Sequence, residues 1–132
     1  MILGIGIDLL KVSRVKKILD KYGSVFLSKV FTKNEIEKNS KFINRANKFA
    51  KCFASKEAFV KALGTGFKKG VSFKDISLNN LNTGQPFLFL SQSIKKKLKK
   101  KTPAGYKVVL NISITDELEY VIANVIISLE KK

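Results

Sequence analysis

Three side chains of this sequence carry chemistry suited to polyphosphates: Asp8 near the N-terminus, and Glu57 and Lys61 near the middle. Glu57 interrupts an apolar stripe. At helical pitch Ala46, Phe49, Ala50, Phe53 and Val60 fall on one side of the segment 46–66, and the carboxylate lands among them. Burial without a partner would raise its pKa and leave it neutral, so a nearby cation or a metal ion has to balance it. Lys61 follows one turn later, at i+4, where an ordinary helical Glu–Lys pair also fits. Asp8 adds a second carboxylate from a different segment. Two carboxylates with positions left for water and phosphate oxygens form a ligand set that Mg²⁺ accepts. With Lys61 beside them the set suits phosphoryl transfer at a pyrophosphate, the metal bridging oxygens and the ammonium offsetting charge on the leaving group.

Those side chains need elements to position them. Residues Ile2 to Asp8 alternate, with Leu3, Ile5 and Ile7 on one face and Gly4, Gly6 and Asp8 on the other, which predicts a strand ending at Asp8. Gly4 and Gly6 either leave a groove beside Asp8 or let a helix pack closely on the sheet. They do not make a dinucleotide-binding turn, because they lie inside the strand and lack a third glycine. A helix is predicted over about Lys11 to Tyr22, with Val12, Val15, Ile18, Leu19 and Tyr22 inward and Arg14, Lys17 and Lys21 on an adjacent face. Thr32 and Glu35 form a capping box flanked by a Phe31/Ile36 staple, so a short helix starts at Lys33. The long helix that carries Glu57 runs from about Asn44 to Leu63 and stops at Gly64-Thr65-Gly66.

Farther along, Ile76 to Leu81 and Pro86 to Leu90 read as a hairpin around Asn82-Thr83-Gly84-Gln85, and Ser91 to Lys100 as a helix with a solvated lysine-rich end. Tyr106 to Thr115 and Glu119 to Leu129 form a second hairpin whose last strand, apolar on both faces, belongs in the centre of the sheet. The class is α+β, an antiparallel sheet packed against a long helix, in one domain over 1–132.

Composition narrows the functions. The chain has 132 residues, one cysteine and no histidine, which excludes a disulfide framework, a Cys/His zinc site and any Ser/His or Cys/His nucleophile pair. Cys52 itself reads as a small, fairly apolar helix residue and not as a nucleophile. The net charge of +16 points to an acidic partner, yet only Arg14 and Arg45 among 26 basic residues are arginine. Lysine lacks the planar fork used for base and phosphate readout, so sequence-specific DNA binding is not expected. No apolar run is long enough to cross a bilayer, and no signal-like segment opens the chain, which reads as cytoplasmic and not membrane-bound. A non-catalytic basic module that binds nucleic acid or an acidic protein would account for the charge. It would not account for Asp8 and Glu57, which repel a phosphate backbone unless a cation lies between them.

The opening GIGIDLLKVSRV, the central FASKEAFVKALGTG, the Gly84-Gln85-Pro86-Phe87 turn and the closing SITDELEYVIANVII resemble the holo-acyl-carrier-protein synthases, the small 4′-phosphopantetheinyl transferases, over nearly the whole chain. The resemblance implies a 4′-phosphopantetheinyl transferase-like fold and transfer of 4′-phosphopantetheine from coenzyme A to a serine of apo acyl carrier protein. Adenosine 3′,5′-bisphosphate leaves as the second product. It also implies Mg²⁺ on Asp8 and Glu57, with Lys61 beside the pyrophosphate, and a homotrimer with sites between subunits. Glu57, directly or through water, is the candidate base. Gly64, Thr65 and Gly66 match the coenzyme-contacting loop, and Pro86 matches a position near the adenine. Arg14, Lys17 and Lys21, joined by Arg45 and exposed area of Phe53, match the carrier-docking surface. The chain departs from the pattern twice: Cys52 replaces an arginine and Asn111 a histidine, both expected contacts to the coenzyme's 3′-phosphate. That leaves lysines such as Lys51, Lys56 or Lys107 to compensate.

Overall fold

The computed structural model describes residues 1–132. Strand β1 (Ile2–Lys11) is followed by helices α1 (Val12–Tyr22), α2 (Ser24–Val30), α3 (Lys33–Asn39) and α4 (Arg45–Leu63). A 3-10 turn at Phe73–Asp75 leads into β2 (Ile76–Asn80) and β3 (Pro86–Leu90), then α5 (Gln92–Lys100), β4 (Tyr106–Asp116) and β5 (Tyr120–Lys131). There are two antiparallel sheets, not one: three strands in the order β1-β5-β4, and the β2-β3 hairpin. The central place of β5 agrees with its apolar character on both faces. Helix α2 is absent from the sequence reading, which found no periodic segment between residues 23 and 30.

Helix α4 lies against the three-stranded sheet, and the two glycines of β1 decide how closely. A Cβ at Gly4 would stand 1.9 Å from the Ala62 carbonyl oxygen, and one at Gly6 would stand 1.8 Å from that of Ala58. No side chain fits there, so the helix backbone occupies the strip beside the glycines and no open groove remains. Close packing, one of the two alternatives, is what the structure adopts. Strand β1 also continues three residues past Asp8, held by the pairs Leu9 to Ile122, Leu10 to Val121 and Lys11 to Tyr120. Asp8 therefore sits within the strand, not at its end.

Helix α4 is buried on nearly every side, and Phe49, Ala54, Ala58, Phe59 and Val60 are at most 1% exposed. The sheet covers one flank, while α1, α3 and β2 pack on others. Its start and stop follow local chemistry. Gly64 takes the left-handed conformation, φ 81°, and its N–H donates to the carbonyls of Val60 and Lys61, closing the last turn. The Thr32/Glu35 capping box forms as expected, with the Thr32 N–H donating to Glu35 Oε1 at 3.0 Å and the Glu35 N–H to Thr32 Oγ1 at 3.3 Å. In α1, Val15 and Leu19 are buried, whereas Tyr22, expected inward, is 52% exposed at the last turn.

Candidate active site

Register on the central strand β5 sorts the site residues by face. Gly6, Asp8 and Leu10 pair with Val125, Ala123 and Val121, all buried, on the side that α4 covers. Ile5, Ile7 and Leu9 pair with Ile126, Asn124 and Ile122 on the other side. Asp8 thus faces α4, and Lys61 reaches it: Lys61 Nζ donates to the Ile7 carbonyl at 2.9 Å and to Asp8 Oδ1 at 3.1 Å. The Asp8 side chain is 15% exposed and that of Lys61 51%. One partner is sheltered and fixed while the other stays open to an arriving anion.

Glu57, one helical turn before Lys61, is half-buried at the same place. Burial pushes its carboxyl above the usual carboxylate range, Asp8 pushes it further in the same direction, and Lys61 opposes both. The lysine therefore pairs with Asp8 and not with its own helical neighbour. Glu57 and Asp8, coming from α4 and β1, repel each other, and a divalent cation would relieve that repulsion. No group of three or more acidic, cysteine or histidine side chains capable of holding a metal occurs. A two-carboxylate set suits an ion that keeps several waters and takes phosphate oxygens, as Mg²⁺ does, and does not suit one that demands a closed protein cage.

Immediately after Lys61 the chain turns through Gly64, Thr65 and Gly66. A side chain at either glycine would meet nothing within 4 Å, so their role lies in the left-handed backbone, φ 81° and 60°, and in the bare surface that results. Thr65 Oγ1 donates to the Gly66 carbonyl at 2.9 Å.

Pro86 belongs to a different neighbourhood. With Gly84 and Asn80 it borders a cavity of about 250 Å³ that also contains Cys52, Lys38, Lys48 and Lys51. Cys52 is 2% exposed, and burial pushes its thiol well above the usual value, with Glu35 adding to the shift. It is not a nucleophile, as its sequence position suggested. Asn111 lies elsewhere again. It pairs with Ile126, on the sheet face away from α4, and is exposed there, so within one chain it does not meet Asp8, Glu57 or Pro86.

Arg14, Lys17 and Lys21 are exposed along α1. Arg45 is half-buried at the start of α4. Phe53 is less available than expected: it is half-buried and stacks on Phe73, with ring centroids 5.5 Å apart.

The largest departure from the sequence reading is Lys56. It was a candidate for contacting phosphate, but its side chain is 0% exposed, as is that of Glu35. Lys56 Nζ donates to Glu35 Oε1 at 2.7 Å, to the Phe73 carbonyl at 2.9 Å and to the Ile76 carbonyl. Glu35 Oε2 accepts from the Leu78 N–H at 3.1 Å. The pair locks α3 to α4 and to the strand leading into the hairpin, and none of it is left for a ligand. A signal was present in the sequence: Phe49, Cys52, Lys56, Phe59 and Leu63 share one helical stripe, so Lys56 was as misplaced as Glu57. The other two lysines expected to compensate are engaged by carboxylates, Lys51 with Asp116 at 3.3 Å and Lys107 with Glu130 at 3.6 Å.

A family model described as the 4′-phosphopantetheinyl transferase superfamily matches residues 4–120. The holo-[acyl-carrier-protein] synthase of Parvibaculum lavamentivorans is 43% identical over 132 residues, covering 100% of this chain and 99% of its own length. Among solved structures, the holo-[acyl-carrier-protein] synthase of Neisseria meningitidis superposes with a TM-score of 0.87 at 33% identity, covering 97% of this chain and 99% of that one. That of Bacillus anthracis, solved in complex with CoA (3′,5′-ADP), gives 0.77 at 34% identity, covering 96% of each. The chain belongs to the 4′-phosphopantetheinyl transferase superfamily and, within it, to the holo-[acyl-carrier-protein] synthase family of enzymes.

Proposed function

We propose that this enzyme moves 4′-phosphopantetheine from coenzyme A to a serine hydroxyl of apo acyl carrier protein, in one transferase domain that works in the cytoplasm. The reading rests on one observation: the Asp8–Lys61 contact at 3.1 Å, with the half-buried Glu57 beside it. Asp8 and Glu57 would hold Mg²⁺, which when bound would offset the charge of the pyrophosphate. Lys61 donates to the oxygen that bridges the two phosphorus atoms. Glu57, directly or through water, takes the serine proton. The serine oxygen then bonds to the phosphorus that carries pantetheine while the bond from that phosphorus to the bridging oxygen breaks. Adenosine 3′,5′-bisphosphate leaves with the electron pair. Gly64, Thr65 and Gly66 form the surface that accommodates the coenzyme, Pro86 lies against its adenine, and Arg14, Lys17, Lys21, Arg45 and Phe53 receive the carrier.

The outer face of the three-stranded sheet supports self-association, as a homotrimer. Ile5, Ile7 and Leu9 are 58%, 58% and 61% exposed on it, and Asn124 Oδ1, at its centre, has no hydrogen-bond partner. Asn111 shares that face, and in an assembly it reaches the coenzyme bound by a neighbouring copy. No helix is long and apolar enough to cross a membrane.

Incubation with coenzyme A, Mg²⁺ and apo acyl carrier protein should add the mass of phosphopantetheine to the carrier. No adduct with any divalent metal would defeat the reading. Asp8→Ala and Glu57→Ala should each lower turnover about a hundredfold or more. Near-normal turnover in both would remove the carboxylates from the mechanism.

A further inference from the structure

The segment that follows α4 is held in an uncommon shape. Between residues 64 and 70 four φ angles are positive: Gly64 at 81°, Gly66 at 60°, Lys69 at 56° and Gly70 at 78°. Lys69 is the one non-glycine residue of the chain with a positive φ. Such a conformation persists in a residue with a side chain only where its surroundings hold it, and strain of this kind gathers at functional sites. The holding groups come from the lysine-rich end of α5. Lys97 Nζ donates to the Lys69 carbonyl at 2.8 Å, and Lys101 Nζ, from the residue that closes α5, donates to the Leu63 carbonyl at 3.0 Å. Between those two points the Phe67 ring stacks on Phe73, with centroids 3.8 Å apart. The segment is fastened at its start, its middle and its end.

The two lysines share one side of α5 with Ile94 and Leu98, spaced at helical pitch, and the burial of those apolar residues turns that side toward the rest of the molecule. Lys96 and Lys100, exposed on the same helix, make no bond to the segment. The contacts also bear on charge. The last carbonyls of a helix have no intrahelical partner and form the negative end of its dipole, which disfavours a phosphate brought to the turn just beyond. Lys101 sets an ammonium group on the final carbonyl of α4 and so weakens that opposition. We propose that Lys97 and Lys101 are positioning residues, which brace the 64–70 segment in the form that receives the phosphates of the coenzyme. The inference rests on the transfer reading for its ligand, and on the two lysine–carbonyl bonds for the brace. Side chains that the sequence offered only as a solvated helix end thus acquire a task.

The variant Lys97→Met/Lys101→Met keeps the aliphatic stems and loses both donors. Amide hydrogen exchange in the free protein reads the brace: the Gly64 N–H, bonded to the Val60 and Lys61 carbonyls, and the Val71 N–H, bonded to that of Lys68, should exchange about tenfold faster in the variant, with the amides of β5 unchanged. Calorimetric titration with coenzyme A and Mg²⁺ should show binding weakened about tenfold. In steady-state kinetics the KM for coenzyme A should rise by the same factor, while kcat and the KM for the carrier stay within about twofold of the wild type. Lys97→Arg/Lys101→Arg, which retains donors at both positions, should recover most of the affinity. Lys96→Met/Lys100→Met removes equal charge from the same helix and should bind coenzyme A as the wild type does. Unchanged exchange at both amides, unaltered coenzyme affinity in the double methionine variant, or an equal loss in the Lys96/Lys100 control overturns the proposal. Faster exchange and weaker coenzyme binding in a protein that modifies no carrier leave the brace standing and remove the transfer function; transfer with wild-type coenzyme affinity in the variant does the reverse.

Discussion

Glu57 illustrates how one side chain can oppose the fold and serve the site. Its carboxyl binds a proton more tightly in the folded chain than in the unfolded one, because burial and Asp8 disfavour its charge more than Lys61 favours it. The contribution to stability is therefore fully present below its ordinary value of 4.5 and is lost as pH rises through the elevated folded value. Mg²⁺ bound as proposed would reverse the balance by neutralising the pair. Glu57→Gln should melt a few degrees above the wild type at neutral pH in the presence of a chelator; Mg²⁺ should raise the melting temperature of the wild type, and the variant should lose most of that rise. Thermal denaturation with and without the ion reads both effects. A variant that melts below the wild type without metal would contradict this account of the site's electrostatics. The sequence made Glu57 conspicuous because it broke a stripe. The same stripe logic passed over Lys56, whose long stem hides in apolar surroundings while its head finds oxygens.

At the level of elements, two contacts keep Asp8 and Glu57 in register. The first is the approach of α4 to β1 over Gly4 and Gly6. Gly6→Ala would force a methyl group against the Ala58 carbonyl, so the helix must shift, at a cost of about 3 kcal/mol. Because Asp8 lies two residues along the same face, turnover should fall further than the loss of folded protein explains. Denaturant titration alongside a rate measurement separates the two losses. The second is the buried Lys56–Glu35 pair, which holds α3 and the approach to β2 against α4. Burial draws the Lys56 pKa down, while Glu35 acts against that shift. Lys56→Met would leave a carboxylate in the core without its cation and should destabilise the fold by about 3–5 kcal/mol. Glu35→Gln added to it should recover part of the loss, measurable as the midpoint of urea unfolding.

For the whole molecule, the charge of +16 and the uncovered sheet face set the interactions with other chains. The lysine-rich surface would draw an acidic carrier from a distance, and α1 exposes Arg14, Lys17 and Lys21 on the face proposed for its docking. Lys17→Glu should raise the KM for the carrier about tenfold while leaving the KM for coenzyme A unchanged. Added salt should weaken the wild-type enzyme more than the variant. Steady-state kinetics with each substrate varied in turn distinguishes this from a general loss of activity. An equal change in both constants would move the docking surface elsewhere.

The amino-acid sequence alone determined the succession of elements, because periodicity, caps and turn residues are local properties that survive without knowledge of neighbours. Strands β1 to β5, helices α1, α3, α4 and α5, the Thr32/Glu35 box and the stop at Gly64 were all legible, with ends displaced by at most three residues. It also marked Asp8, Glu57 and Lys61 as residues whose charge needed an explanation. Only the tertiary structure decided which lysines are sealed inside, which are matched by a carboxylate and which remain free, since twenty-four near-identical side chains differ only in what surrounds them. It likewise decided that Lys61 pairs with Asp8, that a helix fills the strip beside the glycines, and that one apolar sheet face is uncovered. Those outcomes depend on residues far apart in the chain meeting in space, and no local pattern encodes such a meeting.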